Sequence, residues 1–198
     1  MKKTAGIHHI TAIVGHPQEN ADFYAGVLGL RMVKKTVNFD DPGTYHLYFG
    51  NEDGNPGTII TFFPWADAQQ GKIGDGQVGI TSYAVPVGTL SFWEDRLKKF
   101  GIPYSTHKRF GETYLSFTDP HGLKLELVER ENGEKNAWNI GEITSDTAIK
   151  GFAGATLYSS QPAKTTELLE DVMGLERIGE QDNLVRLRSY GDIGNIID

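Results

Sequence analysis

Two adjacent histidines, His8 and His9, stand at the head of a β-branched run, "IHHITAIV", at residues 7–14. An imidazole can bind a metal ion or transfer a proton near neutral pH, so this pair is the first candidate for chemistry. The sequence contains no cysteine, which excludes disulfides, thiolate ligands and a cysteine nucleophile. Any metal site must therefore use His, Asp or Glu.

Strand alternation separates the two histidines. In an extended chain His9 shares a face with Thr11, because side chains two residues apart point the same way. His8 shares the other face with Ile10 and Val14. The second face is better suited to pack on a helix, so His9 is predicted to point away from it. From the residues alone, a strand-edge histidine beside a surface histidine is the favoured interpretation.

The elements that would position these residues are repeated along the chain. Three amphipathic segments each end at a glycine that is followed by an apolar residue, as in "VLGL", "FGI" and "MGLE". Glycine favours the left-handed conformation that ends many helices. The glycines Gly29, Gly101 and Gly174 are almost equally spaced, which indicates a genuine internal repeat.

Each repeat reads as β-α-β-β-β, with turn sequences such as "EDGNPG" and "DPHG" between its later strands. The third repeat stops at Asp198, inside its expected last strand. Polar and glycine-rich linkers are predicted at about 64–77 and 131–149. The sequence thus predicts an α+β chain of three units, at residues 1–65, 76–130 and 150–198.

Composition excludes several classes of protein. The chain is 38% hydrophobic and 23% charged, with a net charge of −7, and it lacks the basic stretches typical of nucleic-acid binding. It shows neither a run of 18 apolar residues nor the apolar core of a signal peptide. We therefore expect no nucleic-acid partner, no membrane segment and a cytoplasmic location.

A repeated βαβββ unit with "HHIT" in its first strand and "DPHGLKLELVE" at its end resembles the vicinal oxygen chelate superfamily of glyoxalases, bleomycin-resistance proteins and extradiol dioxygenases. The first sixty or so residues are most similar to hydroquinone-type ring-cleaving dioxygenases. The resemblance implies curved mixed sheets that pair into a cup. It also implies Fe(II), or Mn(II), held by two histidines and one carboxylate, with open positions for an aromatic diol and O₂.

The resemblance assigns roles to individual residues. The histidine directly before "I-T" binds the metal in the family, which selects His9. His8 then becomes a neighbouring group that accepts the phenolic proton. In the last strand of the second unit the family's ligand position is held by Glu126, although a solvated carboxylate on an open strand face is as reasonable an interpretation.

The other ligand positions do not complete the set. Counting from the repeat glycines makes Thr81 and Gly154 the counterparts of His9, and the remaining last-strand positions hold Thr61 and Asp198. Family members usually have four units, and in some the first pairs with the fourth. We therefore expect this chain to be the N-terminal three units, with further ligands beyond Asp198 and with iron absent or weakly bound.

The other histidines are weaker candidates. His46 in "TYHLYFG" is expected to line the cup or to be a half-buried structural residue. His121 lies in the "DPHG" turn and is given no chemistry. His16 and His107 are predicted to lie in polar, solvated loops.

Three functions fit these observations. The first is the N-terminal part of an Fe(II)-dependent extradiol dioxygenase that opens hydroquinone- or catechol-type rings. The second is a metal-free binding protein for a small aromatic ligand. The third, a glyoxalase-like isomerase, is weakened by Thr61, where that chemistry needs a carboxylate. Because three units leave one sheet face uncovered, we also expect a homodimer.

Overall fold

The computed structural model describes residues 3–198, which form three successive βαβββ units. Unit 1 consists of β1 (His9–Val14), α1 (Pro17–Ala21), β2 (Arg31–Val37), β3 (Tyr45–Gly50) and β4 (Ile59–Pro64). Unit 2 consists of β5 (Gln77–Val85), α2 (Leu90–Lys99), β6 (Tyr104–Arg109), β7 (Glu112–Thr118) and β8 (Lys124–Glu129). Unit 3 consists of β9 (Gly151–Tyr158), α3 (Pro162–Glu167), β10 (Glu176–Gln181), β11 (Leu184–Arg188) and β12 (Ile196–Ile197). The predicted α+β class is confirmed.

The helices end at the predicted glycines, and two of them begin at a proline. Pro17 and Pro162 open α1 and α3, where the missing N–H of proline breaks no hydrogen bond. These two helices continue as π-helical turns, at Asp22–Val27 and Leu168–Val172. Gly29, Gly101 and Gly174 follow the three helices with φ angles of 69°, 68° and 74°, the left-handed conformation that glycine adopts without strain.

The strands form two sheets that differ in how their units are paired. Unit 1 forms a four-stranded sheet in the order β1-β4-β3-β2. Units 2 and 3 share an eight-stranded sheet in the order β10-β11-β12-β9-β5-β8-β7-β6, joined by the antiparallel pair β5–β9. Unit 1 is therefore the unpaired unit of the three.

The helices cover one face of these sheets and bury a continuous core across units 1 and 2, which includes Tyr24, Phe62, Trp93 and Leu97. The segment 131–149 was predicted as a polar linker, and this is wrong for part of it. Ile143, Ala148 and Ile149 are buried in the core, and Trp93 on α2 donates a hydrogen bond to the Thr147 carbonyl, so this part of the segment packs on the protein instead of running free in solvent. Within residues 3–198, no helix has the length and apolar character needed to cross a membrane.

Candidate functional site

The exposed face of the unit 1 sheet carries the predicted metal ligand. His9 and Thr11 are exposed, whereas Ile10 and Val14 on the same strand are buried in the core. This is the facing that strand alternation predicts. We call the surface formed by His9, Thr11, His46, Tyr48 and Phe63 on β1, β3 and β4 the unit 1 face.

His8 and His9 contact each other directly. The Nδ1 atoms of the two rings are 3.1 Å apart, so one ring must donate and the other must accept. The rings are nearly perpendicular, with centroids 5.2 Å apart. This contact uses Nδ1 of His9 and leaves its Nε2 available for a ligand. His8 is in a position to set which nitrogen of His9 carries the proton.

His46 lies on the same face and is packed between aromatic rings. Its ring centroid is 4.0 Å from that of Phe63 and 4.2 Å from that of Tyr48. Tyr48 Oη is 2.9 Å from His46 Nδ1, whereas Nε2 is buried without a hydrogen-bond partner in the described residues. Burial, together with the nearby charges of Lys34 and His9, lowers the pKa of His46. The ring is therefore held in its neutral form.

Units 2 and 3 enclose a second concave surface, which we call the unit 2–3 cup. It is a cavity of about 730 Å³ on the open face of the eight-stranded sheet. β5, β6, β7, β8 and β9 line it, and the β10–β11 hairpin borders it. This cavity is separate from the unit 1 face, since the two lie on different sheets.

A buried ion-pair network occupies one side of this cup. The Arg109 guanidinium contacts both oxygens of Glu126, with Nη1–Oε1 at 2.9 Å and Nη2–Oε2 at 2.8 Å. Arg109 Nε donates to Asp198 Oδ2 at 2.9 Å, and Arg186 Nε donates to Asp198 Oδ1 at 2.7 Å. Burial alone would lower the pKa of Arg109, but its contacts with Glu126, Tyr114 and Asp198 outweigh that effect and raise it. Both carboxylates are thus neutralised by arginine.

The surroundings of Glu126 bear on its predicted role as a metal ligand. The side chain is 2% exposed and also accepts hydrogen bonds from Ser82 and Ser116. Its oxygens are therefore already satisfied by protein donors. The structure does not bring Glu126 together with His9, and among residues 3–198 no three His, Asp or Glu side chains converge to hold a metal ion.

The register of the sheets corrects one predicted counterpart of His9. His9 pairs with Ile59 in unit 1, and the equivalent strand pair in unit 2 is Ile80 with Lys124. The counterpart of His9 is therefore Ile80, not Thr81, whose side chain is fully buried on the opposite face. Counting from the repeat glycines failed because the segment from Ile80 to Gly101 in unit 2 is one residue longer than the segment from His9 to Gly29 in unit 1. In unit 3 the predicted counterpart, Gly154, pairs with Ile196.

The prediction that His107 lies in a polar loop is wrong. It does not lie in a loop but in β6, where its ring stacks on Tyr114 with centroids 5.6 Å apart. Its Nε2 is 3.4 Å from Glu126 Oε1. His16, in contrast, is exposed, and its side chain accepts a hydrogen bond from the Gln18 N–H at the start of α1.

Sequence reasoning missed Arg109 and Arg186. One signal was available for Arg109, because Ser105, His107 and Arg109 alternate along "YSTHKR" and share a face. Arg186 had no such signal, since Asp198 reaches it only through the pairing of β11 with β12, and Glu112 and Tyr114 reach it only through the pairing of units 2 and 3. Thr61, the residue that argued against an isomerase, is buried and lies 2.9 Å from Thr11, Oγ1 to Oγ1.

Repeated βαβββ units with concave mixed sheets define a glyoxalase-like fold. The model of the Glyoxalase/Bleomycin resistance protein/Dioxygenase superfamily matches residues 6–127. The chain belongs to this superfamily.

Proteins similar to this chain are named as dioxygenases. MhqO of Bacillus subtilis (strain 168), whose name describes a ring-cleaving dioxygenase, is 73% identical over 197 residues, which cover 100% of this chain and 63% of MhqO. The chlorohydroquinone/hydroquinone 1,2-dioxygenase of Sphingobium indicum is 37% identical, with 98% of this chain and 61% of the relative covered. The chain thus spans less than two thirds of the length of these relatives.

Solved structures agree on the fold. A crystal structure described as a dioxygenase from Bacillus subtilis subsp. subtilis str. 168 is 72% identical and superposes with a TM-score of 0.98, over 100% of this chain and 64% of that one. Glyoxalase I from Zea mays superposes with a TM-score of 0.71 over 97% of this chain and 66% of that one. At 15% identity, this second similarity shows the fold alone.

Proposed function

We propose that this chain is the N-terminal part of a ring-cleaving dioxygenase that opens hydroquinone- or catechol-type rings in the extradiol manner. Two observations support the proposal. The relatives that match nearly the whole chain are named as a ring-cleaving dioxygenase and a hydroquinone dioxygenase, and His9 is exposed on the unit 1 face with Nε2 free for a ligand. The second observation carries the proposal, because it concerns this chain's own chemistry.

The proposed metal is Fe(II), with Mn(II) as a substitute, and the residues of this chain fit it only in part. His9 offers one imidazole nitrogen, but among residues 3–198 no group of three His, Asp or Glu side chains forms a complete site around it. Glu126 is held by Arg109 on another sheet. A complete centre therefore needs ligands from outside these residues.

His8 and the residues of the unit 1 face have proposed roles that do not require the metal centre to be complete. His8 is the proposed proton acceptor for a phenol, because it is exposed and its Nδ1 lies 3.1 Å from that of His9. Phe63 and Tyr48 flank His46 with flat surfaces that suit an aromatic ring. Neutral His46 can accept or donate one hydrogen bond through its unpartnered Nε2.

The test compares the two histidines in a polypeptide that spans the length of the curated relatives. His9→Ala is expected to abolish oxygen uptake with methylhydroquinone, since a direct ligand is lost. His8→Ala is expected to slow uptake by about 10- to 100-fold, the usual effect of removing a group that supports a ligand. His16→Ala is the control, because His16 is exposed and lies off the unit 1 face.

Each outcome discriminates between functions. A slowed His9→Ala variant and an inactive His8→Ala variant would show that the assignment of the two histidines is reversed. Tight binding of methylhydroquinone without oxygen uptake in any metal-loaded form would favour the metal-free binding protein instead.

A further inference from the structure

We propose that the unit 2–3 cup is a second ligand site, which binds a small aromatic carboxylate without a metal. The inference does not rest on ring cleavage, because the unit 1 face and this cup lie on different sheets. A cavity of about 730 Å³ is within the range of small-molecule sites.

The first support is an unpartnered hydroxyl in the cavity wall. Thr156 lines the cup and is 4% exposed, and its Oγ1 is buried with no hydrogen-bond partner in the part of the chain that the structure describes. A buried polar group without a partner is costly, so such groups in native proteins require an explanation. A ligand oxygen in the cup would supply the missing partner.

The second support is the charge of the lining. The ionisable side chains around the cup, besides His107, are Lys108, Arg109, Lys124, Glu126 and Asp182. Arg109 and Glu126 neutralise each other. This leaves two lysines against one exposed aspartate, and within residues 3–198 neither lysine forms an ion pair. The surplus positive charge favours an anion.

The positions of these groups suit a carboxylate. Thr156 and Lys124 lie on either side of Ile80, since each pairs with Ile80 across a neighbouring strand. Two strand spacings place their Cα atoms about 10 Å apart. A lysine side chain can span much of that distance, so one carboxylate can contact both the ammonium of Lys124 and the hydroxyl of Thr156.

Tyr158 provides the surface on which the apolar part of the ligand would pack. A Cβ built on Gly79 would lie 2.6 Å from this ring, so the ring lies directly on the backbone of β5. Lys124 Nζ is 6.0 Å from the centroid of the ring. Together Tyr158 and Ile80 give the cup a flat, partly apolar wall beside its cation. An aromatic ring that carries a carboxylate matches this arrangement.

The experiment titrates benzoate into ¹⁵N-labelled protein and follows the backbone amide signals. We expect saturable shifts at Ile80, Lys124 and Thr156 and none at Thr11 or His46 on the unit 1 face. Benzyl alcohol, which has the same ring without the charge, is expected to bind at least about tenfold more weakly.

Two pairs of variants separate a binding role from a structural one. Thr156→Val removes the hydroxyl at nearly constant volume and is expected to weaken benzoate binding about tenfold. Its control is Thr81→Val, which removes another buried, unpartnered hydroxyl but on the opposite face of β5. Lys124→Gln is expected to weaken binding about three- to tenfold, with Lys164→Gln on the outer surface of α3 as its control.

Asp182→Asn tests the sign of the charge effect and should tighten benzoate binding. The proposal is overturned if benzoate at millimolar concentration causes no shifts in the cup, or if the shifts fall on the unit 1 face. It is also overturned if Thr156→Val and Lys124→Gln both bind benzoate as the unchanged protein does, or if benzyl alcohol binds equally well.

Discussion

Arg109→Met is expected to destabilise the protein far more than the loss of an ion pair usually does. Glu126 is 2% exposed, and Arg109 is the only guanidinium that contacts it in the described residues. Removing one partner of a buried pair leaves an uncompensated charge, which costs about 3–5 kcal/mol. Asp198 keeps its hydrogen bonds from Arg186, so the loss falls mainly on Glu126 and should lie near 3 kcal/mol, about the lower limit.

The matched control is Arg177→Met. Arg177 forms ion pairs of similar length, at 3.0 Å with Glu170 and 2.7 Å with Glu180. It differs from Arg109 in exposure, since its side chain is 42% exposed and that of Arg109 is 8% exposed. Exposed pairs contribute about 0–1 kcal/mol. The contrast therefore isolates burial as the source of the effect.

Urea unfolding and thermal melting measure both variants. A loss of about 3 kcal/mol corresponds to a decrease in Tm of about 6–12 °C for a chain of this size. Adding Glu126→Gln to Arg109→Met should recover most of the loss, because the unpaired charge disappears with its partner. If Arg109→Met lowers the free energy of unfolding no more than Arg177→Met does, the argument that an unpaired buried Glu126 destabilises the protein is wrong.

Three further predictions concern the unit 1 face. An NMR titration should give His46 a pKa below the ordinary histidine value of about 6.5. Because the folded state then binds fewer protons than the unfolded state, the protein should lose stability as pH falls below about 6.5. A measured pKa above the ordinary value would contradict the burial argument. The 198-residue chain should bind Fe(II) weakly and show no turnover, since His9 lacks converging ligands; micromolar affinity with oxygen uptake would refute this. Light scattering should detect a dimer formed through the uncovered sheet, which Ile13→Lys, at a side chain 60% exposed, should weaken; a well-folded monomer would show that the sheet needs no partner.

The sequence could predict the parts of the fold that depend on local rules. The repeat glycines are predictable because a helix that ends in the left-handed conformation selects glycine, and all three have positive φ. The facing of His9 follows from strand alternation and the burial of Ile10. These properties need only a few neighbouring residues.

Other features depend on contacts between distant segments. The assignment of Thr81 as the counterpart of His9 failed because counting along the chain assumes segments of equal length, whereas the register is set by hydrogen bonds between β5 and β8. The pairing of Arg109 with Glu126 and Asp198 joins residues 17 and 89 positions apart. No periodicity in "YSTHKR" shows which carboxylates will meet the guanidinium.

The same βαβββ unit thus supports two kinds of site. They differ in whether last-strand carboxylates are present and neutralised by the buried Arg109. In the unit 2–3 cup, two carboxylates at last-strand positions meet Arg109, so the charge is balanced by protein atoms. On the unit 1 face the corresponding residue is neutral Thr61, and His9 stays exposed without a carboxylate beside it. A metal at His9 must therefore obtain its carboxylate from another segment, while the unit 2–3 cup can bind an anion without any metal.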